Sequence, residues 1–196
     1  MATTRENKTI SQFKSQLIGG GARPNLFEVE LTTLPAGIAW PADNFRYMCK
    51  AAQLPASVIA NIDIPFRGRI FKVAGDRTIE PWSITVINDE DFRIRKAMEE
   101  WVDRIAKLEN NLGATDPSAY MVNAKVFQLG RGATPSSSTN AGDRNAVLRE
   151  YEFIDIFPTS VSSIDLSYDS SDTIEEFVVD FAVQSFKFVN AGGPNG

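Results

Sequence analysis

The pattern of apolar and polar positions predicts that most of this chain folds as β-structure. Apolar residues alternate with others at residues 82–87 and 173–189, the period of strands with one better-buried face. Further strands are predicted at residues 26–31, 45–50, 58–64, 70–73, 119–129, 148–157 and 161–168. Turn signals separate these segments about every 8–12 residues, which favours a sandwich or barrel over alternating βαβ units.

One long amphipathic helix is predicted over residues 89–110. Its apolar positions follow at intervals of four and three residues and form a narrow stripe: Ile94, Met98, Trp101, Ile105 and Leu108. Asn88 or Asp89 is predicted to cap its start. Ion pairs one helical turn apart are predicted for Glu100 with Arg104 and for Asp103 with Lys107. Trp101 on the helix and Trp82 on a strand are predicted to be core anchors.

A tight turn is predicted at Ala74-Gly75-Asp76, between strand 70–73 and the strand at 82–87. Glycine adopts positive φ readily, and aspartate bonds to the nearby backbone. Arg77 follows directly, so the turn is expected to expose charges of both signs. A second loop, from residue 32 to residue 40, contains the breakers Pro35 and Gly37.

A single folded domain is predicted over residues 22–189. It follows a polar arm, residues 1–21, in which a short helix at 10–18 carries Phe13, Leu17 and Ile18 on one side and ends at three glycines. Residues 130–146 read as a polar loop insert, and residues 190–196 as a loose tail. No apolar run approaches the roughly 20 residues needed to span a bilayer, and no secretory signal is expected in the arm.

The residue types present exclude several classes of catalytic site. The 196 residues include no histidine and one cysteine, Cys49. The chain therefore has no internal disulfide, no CxxC metal site and no histidine-dependent triad. Four acids at turns or caps lack the spacing of a calcium loop: Asp63, Asp76, Asp89 and Asp91. We expect no enzyme activity, no metal and no cofactor.

Charge is distributed unevenly along the chain, whose formal net charge is −5. Residues 148–181 contain nine acids and a single base, Arg149. A solvated outer sheet face explains such a segment. Basic residues cluster instead around residues 67–77: Arg67, Arg69, Lys72 and Arg77. This cluster is thin for a nucleic-acid patch, and an interface with the acidic strands is at least as plausible an interpretation.

Short motifs follow one another in order from Ala22 to about Phe188. They are Ala22-Arg23-Pro24-Asn25-Leu26-Phe27, Cys49-Lys50-Ala51, Leu54-Pro55-Ala56, Ala74-Gly75-Asp76-Arg77-Thr78, Trp82, Thr85-Val86, Asn88-Asp89-Glu90, Phe157-Pro158-Thr159, Ile164-Asp165-Leu166 and Tyr168-Asp169-Ser170. In this order and spacing they resemble the tail-tube proteins of contractile-tailed bacteriophages. The chain departs from that pattern in its longer arm, an insert at residues 134–143 and its glycine-rich tail.

The resemblance implies a mainly β fold, a two-sheet antiparallel sandwich or barrel flanked by one long helix. It further implies a non-enzymatic subunit whose hexameric rings stack into a hollow tube that conducts viral DNA. The implied partners are further copies of the chain, the contractile sheath, baseplate and tail terminator proteins, and DNA that passes without specific binding; no membrane is implied. The implied location is the virion tail, assembled in the host cytoplasm.

Three hypotheses about sites follow from the implied tube. Some of the acids Glu152, Asp155, Asp165, Glu175, Glu176 and Asp180 face the lumen, where negative charge would let DNA slide. Assembly contacts involve the predicted turn at Gly75, Asp76 and Arg77, and the loop that contains Trp40, Asp43 and Asn44. The 130–146 insert lies on the outside of the tube.

Three alternative functions stay open at this point. The first is a tube protein of a related contractile injection system. The second is a β-sandwich binding module of a baseplate or fibre, although Trp82 and Trp101 fall in apolar patterns rather than on an exposed aromatic face. The third is an enzyme that uses paired carboxylates.

Overall fold

The computed structural model of the chain describes residues 9–17, 21–31, 33–110, 112–131 and 147–189. Within these ranges the strands are β1 (Phe27–Glu30), β2 (Cys49–Ala52), β3 (Ser57–Phe66), β4 (Arg69–Ile79), β5 (Trp82–Ile87), β6 (Val122–Leu129), β7 (Val147–Val161) and β8 (Glu176–Val189). The helices are α1 (Ile10–Gln16), α2 (Ala42–Met48) and α3 (Arg93–Ile105), with a 3₁₀ turn at Pro117–Ala119. Most of the predicted 130–146 insert and all of the predicted 190–196 tail lie outside the described residues.

Six strands form one antiparallel sheet in the order β1-β6-β7-β8-β5-β2. The sheet curls so far that its two end strands, β1 and β2, approach within 8 Å, and α2 packs beside both. Strands β3 and β4 form a separate two-stranded sheet. The predicted mainly β fold is confirmed. No helix in the described ranges is long and apolar enough to cross a membrane.

The core lies inside the curled sheet and is covered on one side by α3. Trp82 and Trp101 are both buried, as predicted. The Trp82 ring stacks on Phe153 with centroids 4.4 Å apart, and Trp101 packs against Phe181 at 5.8 Å. Each indole N–H donates to a backbone oxygen, Trp82 to Gln53 at 2.9 Å and Trp101 to Tyr120 at 2.7 Å. Both tryptophans therefore anchor the core without an unsatisfied polar atom.

The strand predicted at residues 45–50 is wrong, because Ala42–Met48 form a helix and only Cys49 and Lys50 begin β2. Phe45 is fully buried, whereas Tyr47 is 83% exposed. Phe45 and Cys49, four residues apart, are both buried. Over so few residues an apolar pattern with period two and one with period 3.6 overlap, so the sequence does not distinguish them.

The predicted helix at 89–110 is shorter in the structure, where α3 begins at Arg93. Its N-cap residue is Phe92, with φ of 54°, rather than Asn88 or Asp89. Ile94, Met98 and Trp101 are buried as predicted, but Leu108 is exposed beyond the helix end. The helix ends because Ala106 is extended and the chain folds back, with the amide of Lys107 donating to the Leu112 carbonyl.

The ion pairs on α3 are also different from those predicted. The structure joins Arg95 to Glu99 at 2.8 Å and Lys96 to Glu100 at 3.7 Å. Lys107 was predicted to pair with Asp103, but α3 ends at Ile105, so the two residues are not one helical turn apart.

The turn predicted at residues 74–76 is wrong, since Gly75 and Asp76 lie in the middle of β4. The register joins Ile59 to Arg77 and Asn61 to Ala74, so two residues of β4 face one of β3 and form a β-bulge. The chain turns instead at Arg67 and Gly68, both with positive φ. Glycine followed by aspartate suits a bulge as well as a turn.

Candidate functional site

The β3–β4 hairpin is amphipathic. Residues directly opposite in its register share a face, and Ile62 lies opposite Val73, as Ile64 does opposite Phe71. Val58 and Phe66 have the same parity as these isoleucines, and they lie opposite Thr78 and Arg69. This face is therefore apolar along its middle, with a polar residue near each end. The other face is more polar and contains the ion pair of Lys72 with Asp63, 3.5 Å apart.

The apolar face of this hairpin is uncovered. All of β3 is exposed, and Phe71 on β4 retains 65% of its accessible surface. A two-stranded hairpin is at best marginally stable in water by itself. A contiguous exposed apolar surface of this kind is typical of an interaction site.

Arg77 joins the base of the hairpin to the main sheet. Its guanidinium lies 5.3 Å from the centroid of the Phe186 ring on β8 and donates to the Ser57 hydroxyl at 3.0 Å. The other two residues predicted for this assembly contact, Gly75 and Asp76, directly precede Arg77 in β4. They lie at the β-bulge and not at the tip of a turn. The hairpin is held at one end and projects from the body.

Strand β8 has an unpaired edge next to the hairpin base. Its first six residues pair with β5, from Glu176 opposite Ile87 to Phe181 opposite Trp82. The remainder, residues 182–189, pairs with β7 on one side and, within the described part of the chain, with no strand on the other. Such an edge offers unpaired N–H and C=O groups to a further strand.

The other predicted assembly residues lie at the gap between the ends of the main sheet. Trp40 is half-buried, packs on Phe45 at 4.9 Å and donates its indole N–H to the Leu31 carbonyl. Asp43 and Asn44 lie in the first turn of α2, not in a loop. The structure therefore does not bring these three together with Gly75, Asp76 and Arg77 into one cluster.

Charges of alternating sign cross the outer face of the main sheet. Glu30, Lys125, Glu152 and Lys187 are successive register partners on β1, β6, β7 and β8. Lys187 lies 2.8 Å from Glu152, and Lys125 lies 2.9 Å from Glu150. The hydrogen bond to Glu150 raises the pKa of Lys125, and the charges of Glu150, Glu152 and Glu30 add to it. We call Glu30, Lys125, Glu152 and Lys187 the charged row.

The six acids predicted for a lumen divide into two groups. Glu152, Glu176 and Asp180 lie on the outer face of the main sheet, where Lys50 pairs with Glu176 and the Ser83 hydroxyl donates to Asp180. The other three do not share that placement. Asp155 is at a strand irregularity with φ of 54°, and Asp165 and Glu175 lie in the segment between β7 and β8.

Within the described residues, no group of three or more acids and cysteines is placed to hold a metal ion. Burial raises the pKa of the single thiol, Cys49, to about 12.

The sequence reasoning missed the apolar face of the hairpin. The alternation of Ile62, Ile64 and Phe66 with Asn61, Asp63 and Pro65 is a clean signal of a half-buried strand. A strand is predicted there, but the pattern does not say what covers its apolar face, which the structure leaves open. The sequence offers no further apolar strands that could pack on this face. That lack is the signal that could have indicated an exposed interaction surface.

Comparison with known proteins places the chain in a family. The family described as phage tail tube protein matches residues 22–189. Tail tube protein gp19 of Enterobacteria phage T4 is 34% identical over 165 residues, which cover 84% of this chain and 90% of gp19. The tail tube protein of Serratia phage KSP90 is 23% identical over 175 residues, 88% of this chain and 92% of the relative.

Solved structures show the same fold at low sequence identity. A chain of the anti-feeding prophage baseplate has a TM-score of 0.60 and 10% identity, covering 87% of this chain and 97% of its own. A chain of the tube-terminating cap of the same particle has a TM-score of 0.56 and 15% identity, covering 97% and 99%. From the family match and the identity to gp19, the chain belongs to the phage tail tube protein family.

Proposed function

We propose that this chain is a structural subunit of a phage tail in which six copies close a ring and rings stack into a hollow tube for viral DNA. The observation that carries this proposal is the apolar face of the β3–β4 hairpin, which no described part of the chain covers. Membership of the tail tube family supports a further copy of the chain as that partner.

The free strand edges favour an assembly in which subunits close into a ring around an axis and the rings repeat along that axis. The hairpin edges and residues 182–189 of β8 each offer backbone groups to a neighbour. A head-to-tail contact with rotation closes a ring, and a contact along the ring axis repeats without closing and gives a filament. Pairing every edge in a ring also removes the aggregation hazard that open edges create.

The same proposal assigns the outer face of the main sheet, with the charged row, to the lumen. Acids there are Glu28, Glu30, Glu150, Glu152, Glu176 and Asp180, and they outnumber the bases Arg46, Lys50, Lys125 and Lys187. A basic surface would bind phosphates and release counterions. A surface with paired bases and a small excess of acid leaves DNA free to slide.

The proposed partners of the assembled tube are a contractile sheath around it and baseplate and terminator proteins at its ends. The solved baseplate and cap structures with this fold are consistent with such neighbours. We propose the virion tail, assembled in the host cytoplasm, as the location. The chain has no proposed catalytic role.

Electron microscopy of the purified full-length protein tests the proposal. We expect hollow filaments or six-fold rings from the wild type. Phe71→Asp puts a charge on the apolar face of the hairpin and is expected to abolish them, since the charge would have to be buried in the contact. Asn61→Asp adds the same charge on the other, more polar face of the hairpin, opposite Ala74, and serves as the matched control.

The outcome separates a surface effect from a folding effect, because the hairpin is a separate sheet from the core. Phe71→Asp should retain the circular dichroism and urea midpoint of the main body. Wild-type protein that stays monomeric at every concentration, or Phe71→Asp protein that assembles normally, would contradict the proposal.

A further inference from the structure

Helix α1 precedes the part of the chain that the family match covers, residues 22–189. It is defined locally by a capping box, in which the Thr9 hydroxyl accepts from the Gln12 amide at 3.3 Å and the Gln12 side chain accepts from the Thr9 amide at 2.9 Å. A helix of seven residues is not stable alone in water. A contact along one of its faces would stabilise it.

Among the described residues, nothing covers the apolar face of α1. Ile10, Phe13 and Leu17 lie on one side of the helix, and Phe13 retains 64% of its accessible surface. No residue of α1 is buried. Lys14 lies beside this stripe, and residues 9–17 contain no acid.

The loop between β7 and β8 has the complementary character. Residues 162–175, here called the acidic loop, contain four acids and no base: Asp165, Asp169, Asp172 and Glu175. The loop also shapes an open pocket of about 250 Å³ whose lining is largely polar but includes three apolar side chains, Ile164, Leu166 and Ile174. Leu166, Tyr168 and Ile174 are exposed.

The base of the acidic loop is fixed to the body. The amide of Asn88 donates to the Glu175 carbonyl at 2.8 Å, and its side-chain nitrogen donates to the Glu175 carboxylate at 3.0 Å. At the other end, Arg95 of α3 donates to the Ser162 carbonyl at 3.2 Å. The pocket is therefore held in place rather than carried by a free segment.

We infer that α1 of one subunit docks its apolar face on the acidic loop of a second copy, with Lys14 toward the acids. This inference rests on the proposed function, since the second copy is a neighbour in the assembly. Charge selects the acidic loop over the other uncovered apolar surface, the β3–β4 hairpin. The hairpin contains Arg67, Arg69, Lys72 and Arg77 against Asp63 and Asp76, and would repel Lys14.

Cysteine cross-linking of assembled full-length protein tests this contact. The variant combines Phe13→Cys with Leu166→Cys, and Cys49 gives little background because it is buried. Mild oxidation is expected to give a ladder of covalent multimers on a non-reducing gel. The single variants and the pair Phe13→Cys with Phe71→Cys are the controls and should give no ladder beyond dimers.

A concentration series gives an independent readout. Phe13→Asp is expected to raise the lowest protein concentration that supports assembly by at least about tenfold, because a phenylalanine contact is lost. Ser11→Asp adds the same charge on the polar side of α1 and should match the wild type.

The results distinguish failure of this contact from failure of the proposed function. Wild-type protein that forms tubes while the Phe13 and Leu166 cysteines give no ladder, or cross-link within one chain, overturns the docking of α1. Wild-type protein that forms neither tubes nor rings overturns the proposed function, and the contact with it.

Discussion

Gly75 lies so close to Ala60 that a Cβ atom at residue 75 would be 3.0 Å from the Ala60 carbonyl oxygen and 3.2 Å from Ile62 Cγ1. Backbone sets the first of these limits, so the two strands of the hairpin would have to separate at the bulge. We predict that Gly75→Ala weakens assembly by about 1 kcal/mol, the usual scale of such a substitution.

Hydrogen exchange of the β3–β4 amides and the minimum assembly concentration measure this effect. Ala74→Ser, at the neighbouring exposed position, is the control and should change neither. Unaltered exchange and assembly in Gly75→Ala would show that the bulge tolerates a side chain.

Trp101→Ala is predicted to destabilise the whole domain by about 3–5 kcal/mol, since a fully buried indole between α3 and the sheet would leave a cavity. Trp101→Phe retains part of the packing, leaves a smaller cavity and loses the hydrogen bond to the Tyr120 carbonyl, so it should cost less than Trp101→Ala, about 2–3 kcal/mol. Urea unfolding of the monomer measures both. Equal losses from the two variants would mean that the hydrogen bond, not the packing, carries the effect.

Cys49 is predicted to be almost inert toward thiol reagents in the native protein. Burial raises its pKa from 9.0 to about 12, and only 7% of the residue is exposed. At pH 8 the thiolate fraction is then about a thousandfold lower than in the unfolded chain. Labelling with a chromogenic disulfide reagent, with and without urea, checks this. Rapid native labelling would contradict the buried position of the thiol.

The same shift predicts the sign of a pH effect. The unfolded thiol loses its proton above about pH 9, whereas the folded thiol keeps it to about pH 12. Between these values the native state binds more protons, so the contribution of Cys49 disfavours folding increasingly as pH rises. The urea midpoint of the wild type should fall relative to that of Cys49→Ala above pH 9 and run parallel to it below.

Glu152→Lys is predicted to destabilise the main sheet by about 1–2 kcal/mol at low salt, because it places three lysines side by side in the charged row. Glu152→Gln removes the attraction without adding repulsion and should cost less. The difference between the variants in urea unfolding should shrink in 1 M salt, where screening is strong. A difference that is independent of salt would indicate a packing effect instead.

The sequence was sufficient to predict strands and core residues where the local pattern of apolar positions agrees with burial inside the domain. The strand at 82–87 and the face formed by Phe177, Val179 and Phe181 were predicted correctly, because their alternation matches burial inside the sheet. Trp101 was correctly predicted as a core residue for the same reason. In each case the partner of the apolar face is in the same chain.

What the sequence could not determine has two physical origins. Gly75-Asp76 and Phe45–Cys49 are segments where one residue pattern suits two backbone conformations, and only tertiary contacts decide between them. The strand pattern of the hairpin and the helix pattern of α1 were recognised, but among the described residues nothing covers their apolar faces, so the sequence could not show what those faces contact. The proposed assembly surfaces come from the second group.

The uncovered hairpin also exposes the free subunit to a kinetic competition. Before assembly, the unpaired backbone groups at the edges of the hairpin can pair with a strand of another molecule. The isoleucines and valine of its apolar face would then pack together, as they do in aggregates. Flanking basic residues oppose such encounters between identical copies: Arg67, Arg69, Lys72 and Arg77. In this view the basic cluster acts as a gatekeeper, which keeps copies apart until a contact of the correct geometry outweighs their repulsion.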